Sequence, residues 1–183
     1  MKLLGLSGSL ESESKVQEAV RKALEHADQV SADVEVDLIR LEDYQLQFCD
    51  GRDPEMYEGD SRIVIDKIKE ADALIIGSPI YRGAITGALK NLFDLLPEDA
   101  LEAKVTGFIA IGEKSGHSYV IDHQLKPLAG YFKVHIVPSN VYVDDRHYSE
   151  RELTDESIKK SLKRLGESIV ELHEKIHGIG LVG

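Results

Sequence analysis

Apolar runs of strand length alternate along this chain with longer segments in which apolar residues recur at the spacing of a helix. The runs predict five strands, at residues 2–7, 34–41, 73–77, 104–111 and 134–143. The periodic segments predict helices at residues 16–27, 61–70, 87–96 and 117–132, and a last helix that begins near Thr154. Because strands that are apolar on both faces need cover on both sides, the pattern indicates a parallel sheet between two layers of helices.

Right-handed crossovers leave two common strand orders for such a doubly wound α/β protein, the dinucleotide-binding order and the flavodoxin-like order. Five strands at this spacing favour the second. We therefore predict a flavodoxin-like three-layer sandwich in which residues 1–183 form one domain with strand order 2-1-3-4-5. Ligands of such folds bind beyond the carboxyl ends of the strands, so the loops after strands one, three and four are the candidate site.

Helix-capping residues and prolines refine these predictions. Thr86 is placed to cap the third helix, and Pro97 ends it. Pro127 predicts a kink or an interruption within the fourth helix, because proline has no amide hydrogen to continue the helical ladder. The fifth predicted strand contains Pro138.

Charge and cysteine content exclude several classes of function. The chain carries 33 acidic and 22 basic residues, a net charge of −11, and is therefore not expected to bind nucleic acid or an anionic membrane surface. Its single cysteine, Cys49, excludes an intrachain disulfide framework. No apolar run approaches the roughly 20 residues of a membrane helix, and the first residues do not resemble a secretory signal, so we expect a cytoplasmic protein.

The loop after the first strand has the sequence SGSLESESK, residues 7–15. It supplies hydroxyls and backbone amides at the start of a helix, which is a favourable arrangement for binding a phosphate. The loop matches neither GxGxxG nor the Walker A pattern, which disfavours a standard NAD-binding domain and a P-loop NTPase. An ordinary serine-rich helix cap is the alternative interpretation of the same residues.

The loops after the third and fourth strands suit a flat ligand. In the second loop, Pro79 restricts the backbone, the glycines permit a close approach, and Tyr81 and Arg82 offer an aromatic face and a cation. The third loop, residues 112–117, offers backbone amides to the edge of a heteroaromatic ring. A plain turn, and a helix-start role for His117, are the alternatives.

Three motifs together resemble the NADPH-dependent FMN reductase family. They are SGSxxxxS after the first strand, GSPIYRGAITGALKNLFDLLP after the third, and the glycine-rich turn that leads to GHSYVIDHQLKPL. The resemblance covers about residues 1–148 and is nearest to the branch that supplies reduced FMN to two-component sulfonate monooxygenases. It implies a flavodoxin-like fold, FMN and NADPH as cofactors with NADH also possible, and hydride transfer from nicotinamide C4 to flavin N5.

The resemblance also implies roles for individual residues. Backbone amides, helped by Lys114, would stabilise the reduced flavin, and Arg82 and Lys114 are candidates for contact with the 2′-phosphate of NADPH. No residue is implied as an acid, base or nucleophile, and no metal site is implied. The implied flavin-binding residues are Ser9, Ser14 and Lys15 at the phosphate; Pro79, Ile80, Tyr81, Arg82 and Gly83 along the ribityl chain and ring; and Gly112, Glu113, Lys114, Ser115 and His117 beyond the ring.

One residue departs from the family pattern in the first loop. The family usually has arginine two residues after the second serine of SGS, and this chain has Glu11. Because a carboxylate beside a phosphate lowers affinity, Glu11 indicates either that FMN binds loosely, as a substrate, or that this branch has an altered ligand specificity.

Two other functions fit the same fold. One is a quinone or azo reductase with tightly held FMN. The other is a flavodoxin-type electron carrier, which the loop sequence and the absence of tryptophan disfavour. Cys49 has no paired histidine and is not predicted to be a catalytic nucleophile. His173 and His177 lack a third ligand and are not predicted to bind a metal.

The chain is also predicted to assemble. By resemblance to the family we expect a homodimer or a tetramer, and a flavin-dependent monooxygenase is the possible second partner. The third and fourth helices carry more apolar residues than one face of a sheet needs. The predicted interface residues are Leu92, Leu95, Leu96, Leu125, Leu128, Tyr131 and Phe132.

Overall fold

A parallel β-sheet forms the centre of the structure, a computed structural model that describes residues 1–113, 115–149 and 152–178. Its strand order is β2-β1-β3-β4-β5, and β6 also pairs with β4, so the predicted order 2-1-3-4-5 is confirmed. The strands are β1 (Lys2–Ser7), β2 (Glu35–Arg40), β3 (Ala73–Pro79), β4 (Val105–Gly112), β5 (His135–Ile136) and β6 (Val141–Asp144).

The fifth strand position differs from the prediction of one continuous strand over residues 134–143. It is divided into β5 and β6, and Pro138 lies in the gap between them. Asn140 takes the place of a strand backbone there: its Oδ1 accepts from the Phe108 amide of β4 at 2.8 Å, and its Nδ2 donates to the Val137 carbonyl at 2.9 Å. Proline has no amide to donate to a ladder, and the asparagine side chain satisfies the neighbouring strand instead.

Helices cover both faces of the sheet. Those in the described residues are α1 (Lys15–Asp28), α2 (Gly59–Glu70), α3 (Gly87–Leu95), α4 (Lys126–Tyr131) and α5 (Glu156–His177). Buried residues of α1 and α5 share one apolar cluster with one face of the sheet, and those of α2, α3 and α4 share a second cluster with the other face. Thr86 caps α3 as predicted, with its Oγ1 accepting from the Leu89 amide at 3.1 Å. None of the described helices is long and apolar enough to cross a membrane.

The fourth predicted helix, residues 117–132, is interrupted before Pro127. A 3₁₀ turn at Ser115–Ser118 is followed by a π-helical turn at Ile121–Leu125 and then by α4. Pro127 therefore lies in the first turn of α4, where an amide hydrogen is not needed, and the wider π turn takes up the irregularity ahead of it.

Most residues of the predicted subunit interface pack inside their own chain. Leu92, Leu95, Leu96, Leu125 and Phe132 are all buried in the core of their own chain. Leu128 is half-buried and Tyr131 is exposed, and both line a surface groove together with the buried edges of Leu96 and Phe132. A surplus of apolar residues on these two helices reflects packing against the sheet and against each other.

A short hairpin follows the sheet. It comprises β7 (Tyr148–Ser149) and β8 (Glu152–Leu153), which are antiparallel. The Tyr148 hydroxyl donates to the Lys15 carbonyl at 3.1 Å, so the hairpin is joined to the first turn of α1.

Candidate functional site

The loops that leave the carboxyl ends of β1, β3 and β4 border one cleft of about 260 Å³. Eight residues of the predicted site line it: Ser9, Ser14, Lys15, Pro79, Ile80, Tyr81, Gly112 and Glu113. Glu11, Glu13, Val16 and Ile111 complete the lining. Glu13, Val16 and Ile111 were missed by the sequence prediction, although each is a near neighbour of a predicted residue along the chain.

The other predicted residues lie outside this lining. Arg82 and Gly83 form a turn next to Tyr81, and His117 packs against Gly112. Ser115 begins the 3₁₀ turn that follows β4. Lys114 lies outside the described residues.

Backbone hydrogen bonds hold the first loop against β3 and the start of α3. The Gly8 amide donates to the Gly77 carbonyl at 2.8 Å, and the Thr86 hydroxyl donates to the Gly8 carbonyl at 2.7 Å. A Cβ at Gly8 would lie 3.0 Å from the Gly77 carbonyl oxygen, so only glycine fits without a shift. The loop therefore leaves β1 along a defined path toward the cleft.

The start of α1 is suited to an anion. Ser14 caps the helix by accepting from the Gln17 amide at 3.2 Å, and the buried Ser9 hydroxyl accepts from the Glu11 amide at 3.1 Å. The cleft meets the first turn of α1 at Ser14, Lys15 and Val16. The partial positive charge of a helix N-terminus and the Lys15 ammonium both favour a negatively charged group there.

Tyr148 contacts both ends of Lys15. Its hydroxyl donates to the Lys15 carbonyl, and the Lys15 Nζ lies 5.0 Å from the centre of the Tyr148 ring. This distance is within the range of a cation–π interaction. The hairpin residue therefore orients the cation that lines the cleft.

Two carboxylates oppose this positive potential. Glu11 and Glu13 are exposed and line the same part of the cleft. Glu13 has a positive φ of 53°, a backbone conformation uncommon for residues other than glycine. An anion at the start of α1 is therefore attracted by Lys15 and the helix but repelled by two side chains.

The second loop supplies an apolar wall. The Ile80 amide donates to the Ile111 carbonyl at 2.7 Å, which continues the pairing of β3 and β4 beyond Pro79. Pro79, Ile80 and Ile111 line the cleft together with the half-exposed Tyr81. A flat, partly apolar ligand is the kind of group that such a surface accommodates.

The third loop begins at a glycine that side chains surround. A Cβ at Gly112 would lie 2.8 Å from the Tyr142 hydroxyl and 3.0 Å from His117 Nδ1. Within the described ranges, His117 Nδ1 is buried and has no hydrogen-bond partner. His117 and Tyr142 thus pack behind Gly112 and leave its backbone at the cleft.

An ion pair between a buried carboxylate and an exposed arginine supports the same edge of the sheet. Asp144 pairs in register with Gly112 and is 2% exposed, and Arg146 donates to its carboxylate from Nε at 3.1 Å and from Nη2 at 2.6 Å. These hydrogen bonds hold the pKa of Asp144 below its usual value. A carboxylate whose pKa is lowered by folding stabilises the folded state above its unfolded pKa, and that contribution is lost as the pH falls through the folded pKa.

We expect Asp144→Asn to lower the free energy of unfolding by about 1–3 kcal/mol at pH 7, the usual cost of losing a hydrogen bond to a charged group. The difference from the wild type should shrink as the pH falls below the ordinary carboxyl value of 3.8. Urea denaturation at pH 7 and at pH 3 measures it, with Asp28→Asn at an exposed position as the control. A deficit that is the same at both pH values would contradict this assignment.

The fold and the cleft together define a class. This is a flavodoxin-like α/β protein whose first loop suits a phosphate and whose second and third loops suit a flat ring. A family model described as NADPH-dependent FMN reductase matches residues 1–148, and the chain belongs to that family.

Curated relatives include reductases of similar length. The chain is 41% identical over 182 residues to the NAD(P)H-dependent FAD/FMN reductase of Geobacillus thermodenitrificans, covering 99% of this chain and 98% of that protein. It is 25% identical over 169 residues to the NADH-dependent FMN reductase SfnF of Pseudomonas putida, covering 92% and 91%.

Solved structures share the fold. An oxidoreductase from Corynebacterium diphtheriae superposes with a TM-score of 0.80 at 22% identity, covering 95% of this chain and 97% of that one. An apo NADH:FMN oxidoreductase gives 0.78 at 23% identity, covering 93% and 89%. A flavodoxin from the Archaea gives 0.63 at 14% identity, covering 95% and 99%.

Proposed function

We propose that the chain carries out the reaction of its family, the reduction of FMN by NAD(P)H, in the cleft at the carboxyl ends of β1, β3 and β4. The observation that carries the proposal is the meeting of an anion-binding helix start and an apolar wall in one cleft. Lys15 lies at the first and Pro79, Ile80 and Ile111 at the second. A phosphate attached to a flat ring system needs both.

The chemistry of the lining residues fits FMN. The first turn of α1, with Ser9, Ser14 and Lys15, would hold the phosphate. Pro79 and Ile80 would contact the ring, and the backbone at Gly112 would face its polar edge. When bound, FMN supplies the hydride acceptor, and the nicotinamide supplies the hydride.

The residues of the chain orient the ligands and exclude water, and no side chain is required as an acid or a base. Backbone amides at the start of the third loop are suited to stabilise negative charge at the polar edge of the ring. The apolar side chains of Ile80 and Ile111 would keep water from one face of a bound flavin ring, and the open side of the cleft would admit the nicotinamide. The contribution of the protein is therefore mainly binding and electrostatic.

Lys15 offers a direct test of the site. We expect Lys15→Ala to raise the dissociation constant for FMN about tenfold, which corresponds to roughly 1.4 kcal/mol, and to leave that for riboflavin unchanged. Fluorescence titration with both flavins measures this, and Lys22→Ala, further along α1, is the matched control. Equal losses for FMN and riboflavin would mean that the phosphate does not bind at Lys15.

The wild-type protein is then assayed for oxidation of NADPH and NADH with FMN, FAD, riboflavin or a quinone as the electron acceptor. Saturable dependence on added FMN is the expected result. Quinone turnover by protein that keeps its flavin through dialysis would favour the quinone reductase instead. A chain that binds no flavin would contradict the proposal.

The fate of the reduced flavin is part of the proposal. Glu11 and Glu13 lower the affinity for a phosphate, so FMN is expected to exchange between the site and solution. We infer that FMN acts as a substrate and that reduced FMN passes to a second protein, for which a flavin-dependent monooxygenase is the class we favour.

We also propose that two copies of the chain associate through the layer formed by α3 and α4. A groove of about 280 Å³ there is lined by Phe93, Asp94, Leu96, Leu128, Tyr131 and Phe132. Beside it, the Cys49 thiol donates to the Asp94 carbonyl at 3.2 Å, and the neighbouring Phe48 is 85% exposed. An aromatic side chain that protrudes next to an apolar groove suits self-association.

Phe48 is the test of this association. We expect light scattering to give twice the mass of 20.3 kDa for the wild type, and Phe48→Ser to shift the protein toward the monomer. Val30→Ser removes another exposed apolar side chain, after the end of α1, and should leave the mass unchanged. A wild type that is monomeric at every concentration would contradict the proposal.

A further inference from the structure

A tight turn presents Arg82 beside the cleft. Tyr81 and Ala84 exchange backbone hydrogen bonds of 3.0 and 3.1 Å, and Arg82 and Gly83 between them have φ values of 56° and 79°. Two central residues with positive φ define a type I′ turn, in which arginine is an unusual choice at the first position. The next residue toward the cleft, Tyr81, is part of its lining.

Side chains from the segment that follows β4 hold this turn in place. The Gln124 side chain accepts from the Ile85 amide at 3.0 Å and donates to the Gly83 carbonyl at 3.2 Å. The Tyr119 hydroxyl donates to the same carbonyl at 3.1 Å. Gln124 belongs to the π-helical turn Ile121–Leu125, a type of irregularity that is frequent at functional sites.

The Arg82 side chain itself is exposed and unengaged. It makes no hydrogen bond, ion pair or ring contact with the residues in 1–113, 115–149 and 152–178. Most other arginines in those ranges are paired with carboxylates, as Arg62 is with Asp66. In a chain with a net charge of −11, a cation on a fixed backbone turn, with no carboxylate partner among those residues, is available to attract an anionic ligand.

The chemistry of the reaction limits which anion this is. The nicotinamide must reach the ring of the flavin at Pro79, Ile80 and Ile111, and the pyrophosphate of the dinucleotide follows the nicotinamide after one ribose. The 2′-phosphate of NADPH lies beyond the pyrophosphate, on the ribose of the adenosine. An arginine one residue from the lining is therefore placed for the nearer group, and a guanidinium binds phosphate oxygens through paired hydrogen bonds.

We propose that Arg82 binds the pyrophosphate of NAD(P)H, and that Gln124 and Tyr119 are positioning residues that fix the turn from which it acts. This inference rests on the proposed function, since it requires a flavin in the neighbouring cleft. It assigns to Arg82 a role in the affinity for both NADH and NADPH, and none in the choice between them.

Steady-state kinetics of Arg82→Ala test the assignment with four hydride donors: NADH, NADPH, reduced nicotinamide mononucleotide and uncharged dihydronicotinamide riboside. We expect KM to rise about tenfold for the three phosphorylated donors, to stay unchanged for the riboside, and kcat to change little. Lys90→Ala on α3 removes the same charge away from the turn and is the control. A rise for NADPH alone assigns Arg82 to the 2′-phosphate and overturns the proposal, as does an equal rise for the riboside or no rise at all.

The positioning role needs a separate measurement. Gln124→Ala should raise KM for NADH severalfold with kcat nearly unchanged, and should add little when combined with Arg82→Ala, because both changes remove the same contact. Additive effects in the double variant would contradict the positioning role. FMN titration of each variant separates the two proposals: the flavin dissociation constant should stay at the wild-type value, whereas a wild type that binds no flavin would refute the proposed function itself.

Discussion

Replacing Glu11 with arginine should tighten FMN binding about a hundredfold. The phosphate of FMN carries nearly two negative charges at neutral pH, and Glu11 lines the cleft at the start of α1. Two unit charges about 4 Å apart interact by about 1 kcal/mol in water. The substitution changes the charge of residue 11 from −1 to +1, and each unit of that change acts on the nearly two negative charges of the phosphate. The interaction free energy therefore changes by about 3 kcal/mol, which corresponds to roughly two orders of magnitude in affinity.

Calorimetric titration with FMN and with riboflavin measures the change. Riboflavin has the same ring system and no phosphate, so its affinity should not respond to Glu11→Arg. Glu11→Gln should give about a tenfold gain with FMN, because it removes one charge without adding another. Raising the ionic strength should reduce both gains, since residue 11 is exposed and its interaction is screened by salt.

The result decides how the enzyme uses its flavin. A variant that holds FMN a hundredfold more tightly should stay yellow through dialysis and should release reduced flavin slowly. If Glu11→Arg binds riboflavin more tightly by the same factor, residue 11 acts on the ring or on the loop conformation, and the phosphate lies elsewhere. In either case the carboxylate at this position is tested separately from Lys15, the residue in the first turn of α1 that we propose to bind the phosphate.

The order of elements could be predicted from sequence because each strand and helix carries its own local signal. Residues 2–7 form a mostly apolar run of strand length, and the helix cap at Thr86 is a local hydrogen bond between residues three apart. The division of the fifth strand has a local cause in Pro138, but the hydrogen bond that replaces the missing strand contact does not have a local cause. The Asn140 bond to the Phe108 amide joins residues 32 positions apart, and no periodicity indicates it.

The same distinction applies to the candidate site. Residues that directly follow a strand, such as Ser9, Pro79 and Gly112, could be placed because the topology of a parallel sheet brings those loops together. The contacts that orient the loops were not predicted, because they join distant segments. Tyr148 reaches Lys15 across 133 residues, and Gln124 reaches Gly83 across 41.

The burial of most predicted interface residues has a related cause. A sequence shows that Leu92 or Leu125 is apolar but not which surface covers it. In this fold α3 and α4 pack on the sheet and on one another, so both leucines are buried within the chain. Phe48 gave no periodic signal at all, although it is the most exposed large apolar residue of the described chain.

Replacing Gly166 with alanine should cause a large loss of stability. Gly166 lies in α5 where the helix crosses α1, and a Cβ there would lie 2.3 Å from the Ala23 carbonyl oxygen and 3.0 Å from the Ala27 amide nitrogen. Both atoms belong to the backbone of α1, so no side chain can rotate to make room. The two helices would have to separate, which opens the apolar cluster that contains Ala23 and Leu165.

The expected fall in the free energy of unfolding is about 2–3 kcal/mol, typical of overpacking a well-filled core, and it outweighs the gain of about 1 kcal/mol that alanine brings to a helix. Gly130→Ala in α4 is the matched control, because its Cβ would meet no described atom within 4 Å. That variant should be unchanged or slightly more stable in the same urea titration followed by circular dichroism. Equal stability of both variants would mean that α1 and α5 do not pack through Gly166. Because Ser14 and Lys15 lie at the start of α1, the proposed phosphate site would then have to be held against the sheet by other contacts.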